Sequence, residues 1–175
     1  LKPDTKNLSC LSHVKRSGST RPDASPLYSD TVFHGDNSGS MSSMGYTPSA
    51  GAIKFGKEYK KLGKGAAHAC HLTFGVFSTL YFKVFSGNPG NLTDAIIVKF
   101  GTAMRPTNST CFYDTTIQQL RLQRQRVRKQ YAALPKKVRQ LVNLRDFASV
   151  VFTIMTDGDD NMSIRHDHIS LRKHL

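Results

Sequence analysis

The interval from Thr115 to Arg145 holds nine Lys or Arg residues and not one Asp or Glu. No other stretch restricts the fold as much. From Thr115 to Leu134 neither Gly nor Pro interrupts a run rich in Gln, Leu and Arg, residues that lose little freedom in a helix. Asp114 or Thr115 suits the N-cap. Ile117, Leu120, Val127, Tyr131 and Leu134 then recur at helical spacing, so one face is apolar and the rest carries cations. Pro135 ends this helix or opens the next, and Lys136 to Leu144 reads as a second short helix with Val138, Leu141 and Val142 inward.

A basic helix without acids needs an anion from elsewhere, because like charges three and four residues apart repel. The whole chain has the same bias. Its 175 residues contain 25 Lys and Arg against 12 Asp and Glu, a formal charge of +13. Such an imbalance disfavours the compact state unless a polyanion relieves it. The expected phosphate-contacting residues are therefore Arg121, Arg124, Arg126, Arg128, Lys129, Lys136, Lys137 and Arg139. Arginine predominates on the long helix and suits bidentate phosphate contacts. The plain alternative is a solvated face, or one paired with acids such as Asp94, Asp146 and the 157–160 turn. A second basic stretch, Lys54 to Gly65, reads KFGKEYKKLGKG. Its Lys57, Lys60, Lys61 and Lys64 join the candidate set, on what reads as a glycine-punctuated loop or short helical turn. Phe55 and Tyr59 interleave with these lysines, either as stacking platforms or as core anchors.

Around this helix the sequence places strands. Ala66 to Phe85 alternates apolar residues at Leu72, Phe74, Val76 and then Leu80, Phe82, Val84, which suits two strands. The same stretch is about long enough to span a bilayer, although His68, His71 and Lys83 weaken it as a spanner. Asp94 to Phe100 reads as a strand, Phe147 to Met155 as a buried strand, and Met162 to Leu171 as a return hairpin after the Asp157 turn. The resulting fold class is α+β: a small antiparallel sheet, possibly barrel-like, with one long basic helix. Residues 1–50 are rich in Ser, Gly, Asp and Asn and read as an extended or flexible arm, with Thr31-Val32-Phe33 a short strand or anchor. Residues 51–175 form the folded domain.

Chemistry-bearing motifs are weak. Gly51 to Glu58 approaches a phosphate loop, but Glu58 replaces the hydroxyl that would ligate magnesium. His68, Cys70 and His71 match no common zinc spacing. Asp157-Gly-Asp-Asp-Asn resembles a calcium loop, yet His168 stands where a glutamate belongs. His166-Asp-His168 resembles a nickase pair without a nucleophilic tyrosine. No catalytic residue, metal or cofactor is therefore expected. Three cysteines, Cys10, Cys70 and Cys111, do not make a disulfide framework and suit a reducing compartment.

These readings converge on a non-catalytic structural RNA-binding subunit of a large ribonucleoprotein, such as an organellar ribosome. RNA is favoured over DNA, neighbouring proteins of the assembly are further partners, and a mitochondrion or another organelle is the expected location. Two alternatives stay open: a viral coat protein that packages nucleic acid, and a subunit of a membrane complex with a spanning segment at 66–85.

Overall fold

Tyr28–Asp36 forms a strand, β1, that is buried along almost its whole length. A strand covered on both faces belongs in the middle of a parallel arrangement. The computed structural model describes residues 26–65, 69–107, 109–157, 160 and 162–174, without the side chains of 62–65. In chain order β1 is followed by α1 (Thr47–Gly65), β2 (Ala69–Phe77), β3 (Tyr81–Gly87), α2 (Asp94–Ala103) and α3 (Phe112–Ala132). Two short helices, α4 (Lys136–Arg139) and α5 (Leu144–Phe147), lead into β4 (Ala148–Met155), and α6 (His168–Arg172) comes last. The sheet order is β3-β2-β1-β4.

The α+β class stands, with one long basic helix packed on a small sheet. The sheet is mixed and open rather than antiparallel or barrel-like. β1 runs parallel to both β2 and β4, and only β2–β3 is an antiparallel hairpin. Parallel neighbours require crossovers, and α1 and α2–α3 supply them. Residues 28–50, read as part of an arm, contain this central strand, a 3-10 turn at Gly39–Met44 and the start of α1. Residues 1–25 lie outside the described residues. The spanning alternative fails on geometry: residues 69–77 and 81–87 pair as a hairpin, and no described helix is long and apolar enough to cross a membrane.

Alternation along β1 gives the sheet two unlike faces. Phe33 joins Leu72, Phe74, Val76, Ile97 and Phe100 in the main apolar core under α1 and α2. The α1–α2 contact depends on glycine. A Cβ on Gly101 would sit 2.5 Å from Ile53, and one on Gly56 would meet Ile97 at 3.1 Å. The lysine stretch is therefore the second half of a helix, and Gly51 and Gly56 are helical residues rather than a phosphate loop. Asp94 to Phe100 is helix α2, not a strand. Thr93 caps it by accepting from the Ile96 N–H, and Ile97, Phe100 and Gly101 turn inward at helical spacing. Residues 168–172 are helix α6 rather than half of a hairpin.

The other face carries Tyr28, Asp30, Val32, His34 and Asp36 beneath α3. Helix α3 buries Ile117, Leu120 and Val127 as its sequence pattern predicts, and also Thr115, Thr116, Gln119 and Gln123. Tyr28, Val127 and Phe147 close the lower end as a small separate cluster.

Candidate functional site

In an open sheet with parallel strands, ligands bind beyond the carboxyl ends where successive crossovers leave in opposite directions. Here that point lies between β1 and β4, because the chain passes from β1 to β2 on one side and reaches β4 on the other. Asp36 ends β1 at this crevice. Its carboxylate is wholly buried. One oxygen accepts the Ser38 N–H at 2.7 Å, and the other accepts the Thr156 hydroxyl, just past β4, at 2.7 Å. The first bond turns the chain sharply, so that the Ser38 and Ser40 hydroxyls come together at 2.9 Å. Met41, fully buried, anchors the turn from below.

Two further segments close around this turn. The Asn37 N–H donates to the Phe77 carbonyl at the end of β2, and the Thr107 N–H donates to the Asn37 carbonyl at 2.7 Å. The Cys111 N–H donates to the Ser78 carbonyl, which brings buried Thr110 to the same edge. Asp157 follows Thr156 there. The edge thus gathers Asp36, Ser38, Ser40, Thr110, Thr156 and Asp157, all oxygen-bearing residues, from three separate stretches of chain.

The electrostatics of Asp36 set it apart. An ionised carboxylate away from water is costly unless a cation or several donors compensate it. Among the described residues no Lys, Arg or His forms an ion pair with Asp36. His34, on the same face of β1, does not supply the charge. Burial lowers its pKa to about 3, so it is a neutral imidazole, stacked on Phe77 at 4.2 Å with Nε2 near the Thr115 hydroxyl. The Asn37 side-chain oxygen is a buried acceptor with no partner. No three His, Cys, Asp or Glu side chains come together among the described residues. A metal here would therefore be held by one buried carboxylate, hydroxyls and water, a set suited to a hard, oxygen-preferring cation.

The residues expected to touch phosphate are scattered by the fold. Arg126 turns inward and forms a bidentate pair with Asp30, both contacts at 2.9 Å. Lys60 pairs with Asp94 and Lys61 with Glu58. With Lys54 and Lys57 they line an open groove of about 610 Å³ floored by Ala50 and Ile53. Lys64 lies outside the described side chains. Arg121 and Arg124 lie against His174, at its Nε2 and its carbonyl oxygen respectively. Arg128, Lys129, Lys136, Lys137 and Arg139 are exposed, at the opposite edge of the sheet from Asp36.

His166 donates from Nδ1 to the Asp114 carboxylate at 2.8 Å and is not part of a histidine pair. Burial alone would raise the pKa of Asp114. Hydrogen bonds from the Ile164 and Arg165 N–H groups and from His166 outweigh that and hold it below the usual carboxylate range. With the bonds to Ile164 and Arg165, this contact straps residues 163–166 over the start of α3.

Sequence reasoning missed Asp36, Ser38 and Ser40. The available signal was an Asp-x-Ser-x-Ser separated by two residues from the short strand candidate Thr31-Val32-Phe33. Thr156 and Asp157, directly after the apolar run that ends at Met155, carried the same hint. Each segment by itself looks like a turn.

No family model matches the sequence, and no curated protein matches it. Among solved structures, the chain is similar to the vWF domain of the type V pili tip protein Mfa5 from Porphyromonas gingivalis. The identity is 21% and the TM-score 0.42, over 58% of this chain and 33% of that one. A three-domain N-terminal structure of the same pilus protein matches at 14% identity and a TM-score of 0.43, over 72% of this chain and 19% of that one. The chain thus spans a third or less of the structures it resembles, and likeness at this level assigns it no function.

Proposed function

We propose that the crevice beyond β1 and β4 is a divalent-cation site, and that the protein is a non-catalytic binding module using the bound ion to grip an acidic oxygen of a partner. The observation that carries this is the Asp36 carboxylate, fully buried and without a cation partner among the described residues. Asp36, Ser38 and Ser40 would hold the ion, with Thr110 and Asp157 flanking it at the same edge. The donors are oxygens, as Mg²⁺, Mn²⁺ and Ca²⁺ prefer. One buried carboxylate does not cancel two positive charges. Ser40 is exposed, so the open side faces solvent, where a carboxylate or phosphate oxygen can replace water.

The test is unfolding of metal-stripped protein across titrations of Mg²⁺, Mn²⁺ and Ca²⁺. At a hundredfold excess over Kd, binding to the folded state alone adds about 2.7 kcal/mol. For a chain of this length that raises the midpoint by about 5–10 °C. Asp36→Asn should abolish the response and Asp30→Asn should retain it. A wild-type protein indifferent to all three ions, or an Asp36→Asn variant that still responds, rejects the reading.

A further inference from the structure

The fold separates the cations that serve the protein from those that do not. Arg126, Lys60 and Lys61 are each engaged by an acid. Arg128, Lys129, Lys136, Lys137, Arg139 and Arg145 are exposed on the consecutive elements α3, α4 and α5, and none forms an ion pair among the described residues. The acid nearest in sequence is Asp146, which accepts from the Asn143 side chain.

This surface is held in shape. The Tyr131 hydroxyl on α3 donates to the Val142 carbonyl at 2.9 Å and approaches the Arg139 carbonyl at 3.3 Å, tying the turn after α4 to α3. Val138 is buried beneath it, and Tyr131 packs edge-on against Phe147 at 5.5 Å. The cation-bearing backbones are thus fixed relative to one another before any partner arrives. The cluster lies at the amino-terminal edge of the sheet, across the molecule from Asp36, so it is a surface separate from the proposed cation site.

We infer that this α3–α4–α5 surface binds the phosphodiester backbone of a nucleic acid. An array of cations that form no ion pair among the described residues, held in place by the packing of α3 to α5, matches a regularly spaced polyanion, and half of the six are arginines, which grip phosphate oxygens in pairs. The large apolar side chains exposed on these elements are three scattered leucines, Leu122 at 40%, Leu141 at 53% and Leu144 at 39%. That is far short of the continuous apolar face that enters a bilayer. Contact is with backbone phosphates, so it carries little sequence information.

The test is fluorescence anisotropy with a single-stranded RNA, an RNA hairpin and a DNA duplex, each across a salt series. Lys136→Gln/Lys137→Gln is compared with Lys57→Gln/Lys61→Gln, which removes the same charge from the opposite face. Unchanged unfolding midpoints establish that both variants are folded. The expected result is wild-type binding that weakens steeply with salt. The α4 variant should lose about tenfold in affinity, and its log–log salt slope should shrink by roughly 2. The α1 variant should stay close to wild type, and Asp36→Asn should bind nucleic acid normally. The ratio of RNA to DNA affinity identifies the natural source of the phosphates. Equal losses in the two double variants, no binding at low salt, or capture only by phosphatidylserine vesicles would each overturn the proposal.

Discussion

Asp30 and Asp36 lie on the same face of the same strand, and both are wholly buried. The fold treats them in opposite ways. The Asp30 carboxylate receives a bidentate guanidinium from Arg126 and a hydroxyl from Tyr28 at 3.0 Å, and the Gln123 side-chain amide donates to the Asp30 backbone carbonyl. Asp36 receives an amide and a hydroxyl and, among the described residues, no cation. Between them His34 meets burial in a third way, by remaining neutral. The contrast separates structural charge from functional charge. A carboxylate that the protein neutralises itself serves the fold. One fully desolvated at the rim of a crevice and left without a counter-charge is poised for an external cation.

The largest effect should come from breaking the neutralised pair. Arg126→Leu strands Asp30 as an uncompensated buried charge, and losses for such deletions run to about 3–5 kcal/mol. Urea unfolding of the metal-free protein measures it. A loss below about 1 kcal/mol would mean that the Tyr28 hydroxyl suffices to hold the Asp30 carboxylate, and the distinction from Asp36 would collapse.

His34 predicts a pH dependence with a definite sign. Its folded pKa of about 3 lies below the ordinary 6.5, so the unfolded chain binds a proton that the folded chain refuses. Stability from this group is complete above about pH 6.5 and is lost progressively as pH falls towards 3, by about 1.4 kcal/mol per pH unit at the steepest. Replacing His34 with Phe should flatten that part of the profile even if the variant is less stable overall. An unchanged acid limb would show that the imidazole is not the group excluding the proton.

Much of this was readable in the chain, and what was not has a common cause. Helix α3 is legible because Ile117, Leu120 and Val127 bury at the local spacing that the sequence displays. β4 is legible as a β-branched run, but it is an edge strand with Val150 and Val151 exposed rather than the buried strand expected. β1 is not, because Asp30, His34 and Asp36 make the central strand look like part of a polar arm, and its compensations are remote. Arg126 lies 96 positions from Asp30, and Thr156 lies 120 from Asp36. Helix α2 was misjudged because Ile96, Ile97 and Val98 favour strands locally, while Thr93 and the close approach of Gly101 to α1 decide for helix. The basic residues were visible by type. Which of them stay free depends on tertiary pairing that no local pattern records.

A smaller effect sharpens the comparison through its sign. Asp36→Asn keeps the shape of the side chain and removes a buried charge that no cation among the described residues neutralises. In the absence of divalent ions the variant should therefore be as stable as wild type, or more stable by about 1 kcal/mol. Asp30→Asn should be destabilised under the same conditions, because it leaves the Arg126 guanidinium without its carboxylate. Denaturant midpoints for the two variants, measured side by side in chelator, decide this. Equal losses would place Asp36 in the same structural class as Asp30.

The smallest expected effect concerns Thr156, whose hydroxyl holds one Asp36 oxygen at 2.7 Å. Thr156→Val keeps the side-chain shape and removes that donor. The stability cost without metal should be about 1 kcal/mol, the ordinary worth of one buried hydrogen bond. Its effect on the cation should be larger than that figure suggests, because a bond behind a ligand fixes which way the ligand's oxygens point. Losses of about 10–100-fold in metal affinity are typical for such partners. The diagnostic is therefore the ratio of the two effects, read from unfolding midpoints with and without the ion and compared with Thr156→Ser, which retains the hydroxyl. A cation response weakened in Thr156→Val and restored in Thr156→Ser makes Thr156 a positioning residue for Asp36. A response equally intact in both would mean that the turn through Ser38 alone orients the carboxylate.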